Sequence, residues 1–386
     1  MELLPGCLVT TLDKLRIDLP MKEKRWPITA LDSLRGIAAM GVALTHFAQQ
    51  EIPFCNQGIV GRWLWQLGVW GVTVFFVLSG FCIHGAYLRE QRRNPNRPYD
   101  WIEYLRRRFF RIYPGMIVAL VLSALVGLFW TTAMVRNPNL RGFLGHLFLF
   151  SNFDSVNHQS INSILWTAIV ECYFYLLFPF LIWGCNRWGR LRFLMLVAVF
   201  CWGYFFLVSF FTVPGEARVM WQHTFPGLWW KWCLGVGVAE IYLSESESPW
   251  SRVVSRPIVL FTLLIVSFTP CLFTDVHHVL GFHRFVLPLV VAGGILGLAT
   301  SPAGFLEFPY LRWIGRISYS IYLFHPLVLV GFSLVTLGAW WWDLLPFLIL
   351  AVATGAAGYY MVEVPGMRLK AKKVPVPSAV VGTSLS

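Results

Sequence analysis

Apolar runs of roughly 20 residues recur along almost the whole chain, the length a helix needs to cross a hydrocarbon core about 30 Å thick. Ten such spans are read at about 30–50, 66–88, 114–134, 163–184, 191–213, 226–243, 257–273, 284–300, 315–337 and 343–363. In lipid the backbone must satisfy its own hydrogen bonds. Segments this long and without alternation are therefore helices, not barrel strands. The expected fold is all-α, a polytopic membrane protein of about ten transmembrane helices. Composition agrees, since only 13% of the residues are charged and 57% are hydrophobic, too few charges to cover a water-facing surface. The stretch GFLGHLFLF at 142–150 is too short to span and reads as re-entrant or interfacial.

The basic residues set the orientation. With the N-terminus inside, the expected cytoplasmic segments hold 24 Lys and Arg, eight of them in 89–111. The expected external loops hold five: Arg62, Arg136, Arg141, Arg218 and Arg284. That is the positive-inside asymmetry, and both termini come out cytoplasmic. The net charge of +12 is thus mainly a topology signal, and with no soluble domain to carry a basic face no nucleic-acid partner is expected. The first 29 residues lack an apolar core, so no cleavable signal peptide is expected. The eight cysteines form no CxxC pair, which points away from a disulfide framework or a zinc site. Trp clusters WLW at 63–65, WWKW at 229–232 and WWW at 340–342 fit interfacial belts. No repeat links the two halves, which weakens a transporter built from inverted repeats.

Against this background each intramembrane ionisable group is a functional candidate. In LDSLRGIAAMGVALTHF at 31–47, Arg35 and His46 share one helical face, roughly 16 Å apart, with Arg35 at the cytoplasmic mouth. Arg35 also reads as a snorkelling anchor paired with Asp32, and His46 as an interhelical hydrogen bond. In SILWTAIVECYFYLLFPF, Thr167, Glu171 and Tyr175 form a polar stripe at i, i+4 and i+8. In GRISYSIYLFHPLVLV, Ser318, Tyr322 and His325 share a face, and Pro326 frees a carbonyl one turn earlier. Three spans thus bring His46, Glu171 and His325 to comparable depth, which predicts a buried polar cavity. A His with a carboxyl partner can take a proton from a hydroxyl, and a second His or a Tyr can hold an oxyanion. At the mouth, YLRRRFFRIYPG puts Arg108 and Arg111 on one helical face. Guanidinium groups there suit phosphate, while stop-transfer charge accounts for Arg106 and Arg107. FFVLSGF at 75–81 sets Ser79 and Gly80 in an aromatic span, where small residues allow close helix approach.

These segments resemble, in order, the acyltransferase-3 family of bacterial membrane O-acyltransferases. The matching pieces are LDSLRGIAAMGVALTHF with its Arg-x10-His spacing, FFVLSGF, RRFFRIYP at 107–114, WTAIVECYFYLLFP at 166–179, GRISYSIYLFHPLV at 315–328 and VEVPGMR at 362–368. The resemblance implies acyl-CoA as donor, His46 as the essential catalytic histidine, and Arg108 with Arg111 as essential basic residues. Two departures stand out. Trp166, Thr167 and Ala168 replace a Trp-Ser-Leu common in the family, keeping the hydroxyl. Many members also carry a C-terminal SGNH-type esterase domain, whereas about 20 residues follow the last span here.

The expectation is a cytoplasmic segment at 1–29, a transmembrane acyltransferase domain at 30–365 and a disordered cytoplasmic tail at 366–386. It would act in a bacterial cytoplasmic membrane, among its lipids, as an O-acyltransferase using acyl-CoA, acetyl-CoA in the first instance, with no metal. The acceptor would be a sugar hydroxyl of an envelope or exported polysaccharide, or of its lipid-linked precursor. Arg35, Arg108, Arg111 and Ser79 would bind the donor. His46 oriented by Glu171 would be the base, with Tyr322, His325 or Ser79 at the oxyanion. A small-molecule acceptor such as a macrolide sugar remains open, as does a proton-coupled transporter using His46 and Glu171.

Overall fold

The computed structural model describes residues 26, 28–52, 58–212, 215–244, 249–272, 281–301, 304–335 and 340–369. Most of the expected N-terminal segment and most of the expected tail lie outside the described residues. Helices follow one another as α1 (Thr29–Glu51), α2 (Gly58–Arg93), α3 (Trp101–Gly127), α4 (Leu140–Leu147), α5 (Leu165–Trp188), α6 (Arg190–Phe211), α7 (Glu216–Gln222) and α8 (Phe225–Leu243). They continue as α9 (Pro249–Val254), α10 (Pro257–Phe268), α11 (Leu287–Thr300), α12 (Pro309–Arg316), α13 (Ser318–Leu334), α14 (Trp340–Gly358) and α15 (Val364–Leu369). The protein is an all-α polytopic membrane protein.

Each of the ten apolar runs meets a helix. Six helices among the described residues are long and apolar enough to cross a membrane, seven if the α12–α13 pair, bent by 72°, is one span. The count falls short of ten for physical reasons. α10 has 12 residues, while Asp32, Arg35 and His46 in α1 and Lys231, Glu240 and the tryptophans of α8 lower the mean hydropathy of those two. The third span also ends sooner than its apolar run, at Gly127. Residues 128–164 instead form a cap. There Val135 bridges Asn162, the short helix α4 takes up the 142–150 stretch, and Asp154 accepts from Arg141 at 2.6 Å and from Asn157 at 2.8 Å.

Close crossings hold the centre together. α1 packs on α2, α12 and α13, and α2 on α8. At the α2–α8 crossing a Cβ on Gly80 would sit 2.0 Å from the Trp232 carbonyl oxygen, and one on Gly235 would sit 1.9 Å from that of Val77. Only glycine permits backbones this close. On the periphery, Phe206, Phe210, Leu345 and Ile349 are exposed, as lipid-facing side chains are.

α3 shows how local sequence aims side chains. Asp100 caps its N-terminus, accepting from the Glu103 backbone N–H at 2.8 Å, a stabilising arrangement for the first turn. Glu103 then pairs with Arg106 at 2.7 Å and with Arg107 at 3.4 Å. Those two arginines are thus engaged by Glu103, while Arg108 and Arg111 line the cavity described below.

Candidate active site

A cavity of about 270 Å³ opens among α1, α2, α3, α5 and α13, and its lining includes Arg35, Arg108, Arg111, Ser79, Glu171 and Tyr322. Six of the eight residues given donor-binding or catalytic roles from the sequence therefore share one space. Arg35 is held by Asp32 at 3.2 Å and by the Cys82 sulfur at 3.0 Å. Arg108 lies over the rings of Tyr104 and Tyr175, 5.8 and 5.9 Å from their centroids. Its Nε is buried with no partner among the described residues. Arg111 is backed by Glu363, a buried carboxylate that accepts from the Ser320 hydroxyl and lies within electrostatic reach. With Asp32 on Arg35 and Glu363 behind Arg111, Arg108 is the guanidinium with no ion pair among the described residues, and a cavity built from such groups suits phosphate oxygens.

The wall between α2 and α5 is a hydrogen-bonded chain. Trp232 Nε1 donates to Ser79 Oγ at 3.2 Å, and Ser79 Oγ donates to the Tyr175 hydroxyl at 3.4 Å. The Tyr175 hydroxyl in turn donates to the Glu171 carboxylate. Trp232, Cys82 and Glu363 were not picked out as candidates. Trp232 reads as part of the interfacial belt WWKW, Cys82 as one of several scattered cysteines, and the motif around Glu363 gives no sign of which cavity it meets.

The two histidines stand apart from this lining. His46 Nδ1 and His325 Nε2 are 2.8 Å apart, beyond a partition made where the Thr167 hydroxyl meets the Tyr322 hydroxyl at 2.7 Å. Phe75 packs edge-on against Tyr322 with centroids 5.8 Å apart, and the Tyr322 and His325 rings lie 6.0 Å apart. The cavity expected to hold His46, Glu171 and His325 together takes in Glu171 but neither histidine. The partner of His46 is His325, and Glu171 is engaged by Tyr175. The reason is geometric. Glu171 lies one turn from Thr167 on α5, and Thr167 is the residue that reaches Tyr322, so Glu171 is set back on the arginine side.

The hydrogen bonds fix the tautomers. His325 Nδ1 is 3.2 Å from the Ile321 carbonyl oxygen, which can only accept. In the neutral ring Nδ1 therefore carries the proton, and Nε2 accepts from His46 Nδ1–H. That leaves the lone pair of His46 on Nε2, for which no hydrogen-bond partner exists among the described residues, on a half-buried side chain. An imidazole so arranged is ready to take a proton. No group of three metal-ligating side chains converges among the described residues.

Residues 28–361 match the family model described as an acyltransferase domain, the acyltransferase-3 type. The chain belongs to the acyltransferase-3 family. As a member of that family it is similar to Nodulation protein 10 of Rhizobium leguminosarum bv. viciae, 25% identical across 89% of this chain and 94% of the relative. It is similar also to the peptidoglycan O-acetyltransferase OatA of Listeria monocytogenes, 26% identical across 77% of this chain and 49% of that protein. The putative peptidoglycan O-acetyltransferase YrhL of Bacillus subtilis is 24% identical across 88% of this chain and 54% of its own length. This acyltransferase-3 chain therefore spans nearly all of the nodulation protein and about half of each peptidoglycan enzyme. No solved structure matches it.

Proposed function

We propose that the protein is a membrane O-acetyltransferase of the bacterial cytoplasmic membrane. It would move an acetyl group from acetyl-CoA to a sugar hydroxyl of an envelope glycan or its lipid-linked precursor, within a transmembrane domain at residues 30–365. The observation that carries this reading is the pairing of a three-arginine cavity with a histidine couple just past its closed end. The similarity to two peptidoglycan O-acetyltransferases, one of them putative, supports a glycan acceptor.

In this mechanism Arg35, Arg108 and Arg111 bind the phosphates of the donor from the cytoplasmic side. The slim thioester arm runs between Ser79 and Glu171 toward Tyr322. The acceptor hydroxyl approaches His46 from the external side, and Nε2 of His46 takes its proton. The oxygen attacks the thioester carbonyl carbon, and the Tyr322 hydroxyl donates to the oxyanion. Collapse breaks the C–S bond, and the departing thiolate takes the proton held on His46 Nε2, which restores the base. His325, which accepts from His46 Nδ1–H, supports the imidazolium as it forms. Transfer requires the Thr167–Tyr322 contact to part, so partition opening belongs to the catalytic cycle. A proton relay would have no use for three arginines on one cavity, which favours the transferase over a transporter.

The test is reconstitution in one orientation, with labelled acetyl-CoA supplied to either face and a muropeptide or polysaccharide fragment to the other. Acetyl ester formation is expected only with donor on the cytoplasmic face and acceptor on the external face. Equal transfer from both faces, with orientation verified, would overturn the through-membrane arrangement.

A further inference from the structure

Away from the cavity, four basic side chains gather near the N-terminal ends of α2 and α8. Lys231 of α8 is only 8% exposed and has no hydrogen bond or ion pair among the described residues. Arg284, in the π-helical turn Phe282–Val286 ahead of α11, donates to Gln222 Oε1 at 2.6 Å and lies 4.1 Å over the Phe205 ring. Its Nε is buried without a partner among the described residues. His223 stacks on Trp166 with centroids 4.7 Å apart, and His283 bonds to Gln66. The charges of Lys231 and Arg284 act on one another and on both histidines. Among the described residues no carboxylate acts on any of the four.

Two like charges set together inside a membrane protein are costly, and the usual structural remedy is a carboxylate beside each. Among the described residues the neighbours are amides and aromatic rings. Gln222 can accept a hydrogen bond but cannot neutralise charge. An arginine fork with free donor capacity beside a lysine point charge is a good match for a tetrahedral oxyanion.

We propose that Lys231 and Arg284 bind a phosphate-type oxyanion, and that this site selects acceptors carrying a phosphate near the sugar to be acylated. The second half of the proposal rests on the external-acceptor reading given above. The position is suited to that task. Trp166, which His223 covers, directly precedes Thr167, so the cluster is linked through one stacked ring to the residue that meets Tyr322. Two sources supply this chemistry: the phosphate of a lipid-linked glycan acceptor, or the headgroup of a bilayer phospholipid.

The probe is inorganic pyrophosphate, read by thermal unfolding of the purified protein in neutral detergent, where a ligand of the folded state raises the midpoint. Because the cavity arginines also favour phosphate oxygens, the titration is run in the Arg108→Ala background as well, where pyrophosphate is still expected to stabilise the fold, and the Lys231 and Arg284 variants are compared in that background. Lys231→Met should weaken that binding roughly tenfold or more. Without anion it should melt higher than wild type, because one of two like charges is gone. Arg284→Gln serves as the second variant and should also lose binding. The proposal fails if pyrophosphate does not stabilise the wild type, if Lys231→Met keeps full affinity, or if Lys231→Met is less stable without anion. Repeating the titration in phosphatidylcholine nanodiscs with and without phosphatidylglycerol separates the two sources. Pyrophosphate binding that survives phosphatidylglycerol supports the acceptor, whereas its loss assigns the site to lipid headgroups and overturns acceptor selection. No turnover is needed, so these results stand apart from the fate of the transferase assignment.

Discussion

His46 and His325 face each other with 2.8 Å between Nδ1 of the first and Nε2 of the second, their ring planes 9° apart. One proton lies between them, and the Ile321 carbonyl decides to which ring it belongs. The pair is therefore directional, with His46 donating inward and its Nε2 left basic.

That direction can be measured. His46→Ala should reduce acetyl transfer by about 100-fold or more while acetyl-CoA still binds. His325 acts as a positioning residue. His325→Gln keeps an acceptor for His46 Nδ1–H, whereas His325→Phe keeps ring volume and loses the acceptor. The Gln variant should retain the higher kcat, roughly tenfold above Phe, with KM for acetyl-CoA similar in both. Equal kcat in the two variants would mean that packing alone is at stake.

At the arginine cluster, Arg108→Ala or Arg111→Ala should weaken acetyl-CoA binding by about 1.5–3 kcal/mol, the range for a hydrogen bond to a charged partner. Arg107→Ala should change it little, because Arg107 pairs with Glu103 at 3.4 Å and does not line the cavity. Calorimetric titration of the three variants distinguishes a built site from diffuse charge, for which the three losses would be equal.

Packing at the α2–α8 crossing leaves no room for a methyl group. Gly80→Ala would place Cβ 2.0 Å from the Trp232 carbonyl oxygen, and overpacking of this kind costs about 1–3 kcal/mol. Gly203→Ala in α6 meets nothing within 4 Å and gains helix propensity, up to about 1 kcal/mol. Melting of the two purified variants should move in opposite directions from wild type.

The 128–164 cap should be acid-sensitive. Burial alone would raise the Asp154 carboxyl, but hydrogen bonds from Asn157 and the Val156 N–H, with the Arg141 charge, outweigh it and hold the group below the usual Asp range. A depressed folded-state value means the stabilisation is present above the unfolded value of about 3.9 and is lost as pH falls through the folded one. Hydrogen-exchange protection of residues 139–160, relative to the intrinsic rate at each pH, should be high at neutral pH and fall below about pH 4. In Asp154→Asn that acid step should disappear.

Much of the scaffold was legible because its signals are local. Runs of apolar residues located the helices, and helical periodicity put Arg108 and Arg111 together, as it did Thr167 with Glu171 and Tyr175. The cap over 128–164 escaped because Leu128, Phe129 and Trp130 continue an apolar run past the point where the helix stops. What the sequence could not give was azimuth between helices. Depth alone set His46, Glu171 and His325 level with one another, yet the rotation of α5 turns Thr167 toward Tyr322 and leaves Glu171 with Tyr175. Lys231 and Arg284 were hidden for the same reason, being far apart in the chain and joined only by how α8 and the turn before α11 meet.

The Thr167–Tyr322 contact has a further consequence for the cell. Under the proposed arrangement a donor on one side reacts with an acceptor on the other, and a passage left open between them would short-circuit the membrane. Each elementary charge crossing 100 mV dissipates about 2.3 kcal/mol, and a water-filled line of polar residues from Arg35 to Gln50 would offer such a route continuously. In that arrangement the two hydroxyls 2.7 Å apart, with Phe75 packed against Tyr322, would be the insulator in that circuit. The acetyl group can then cross by chemistry while the ion gradient that powers the envelope is left intact.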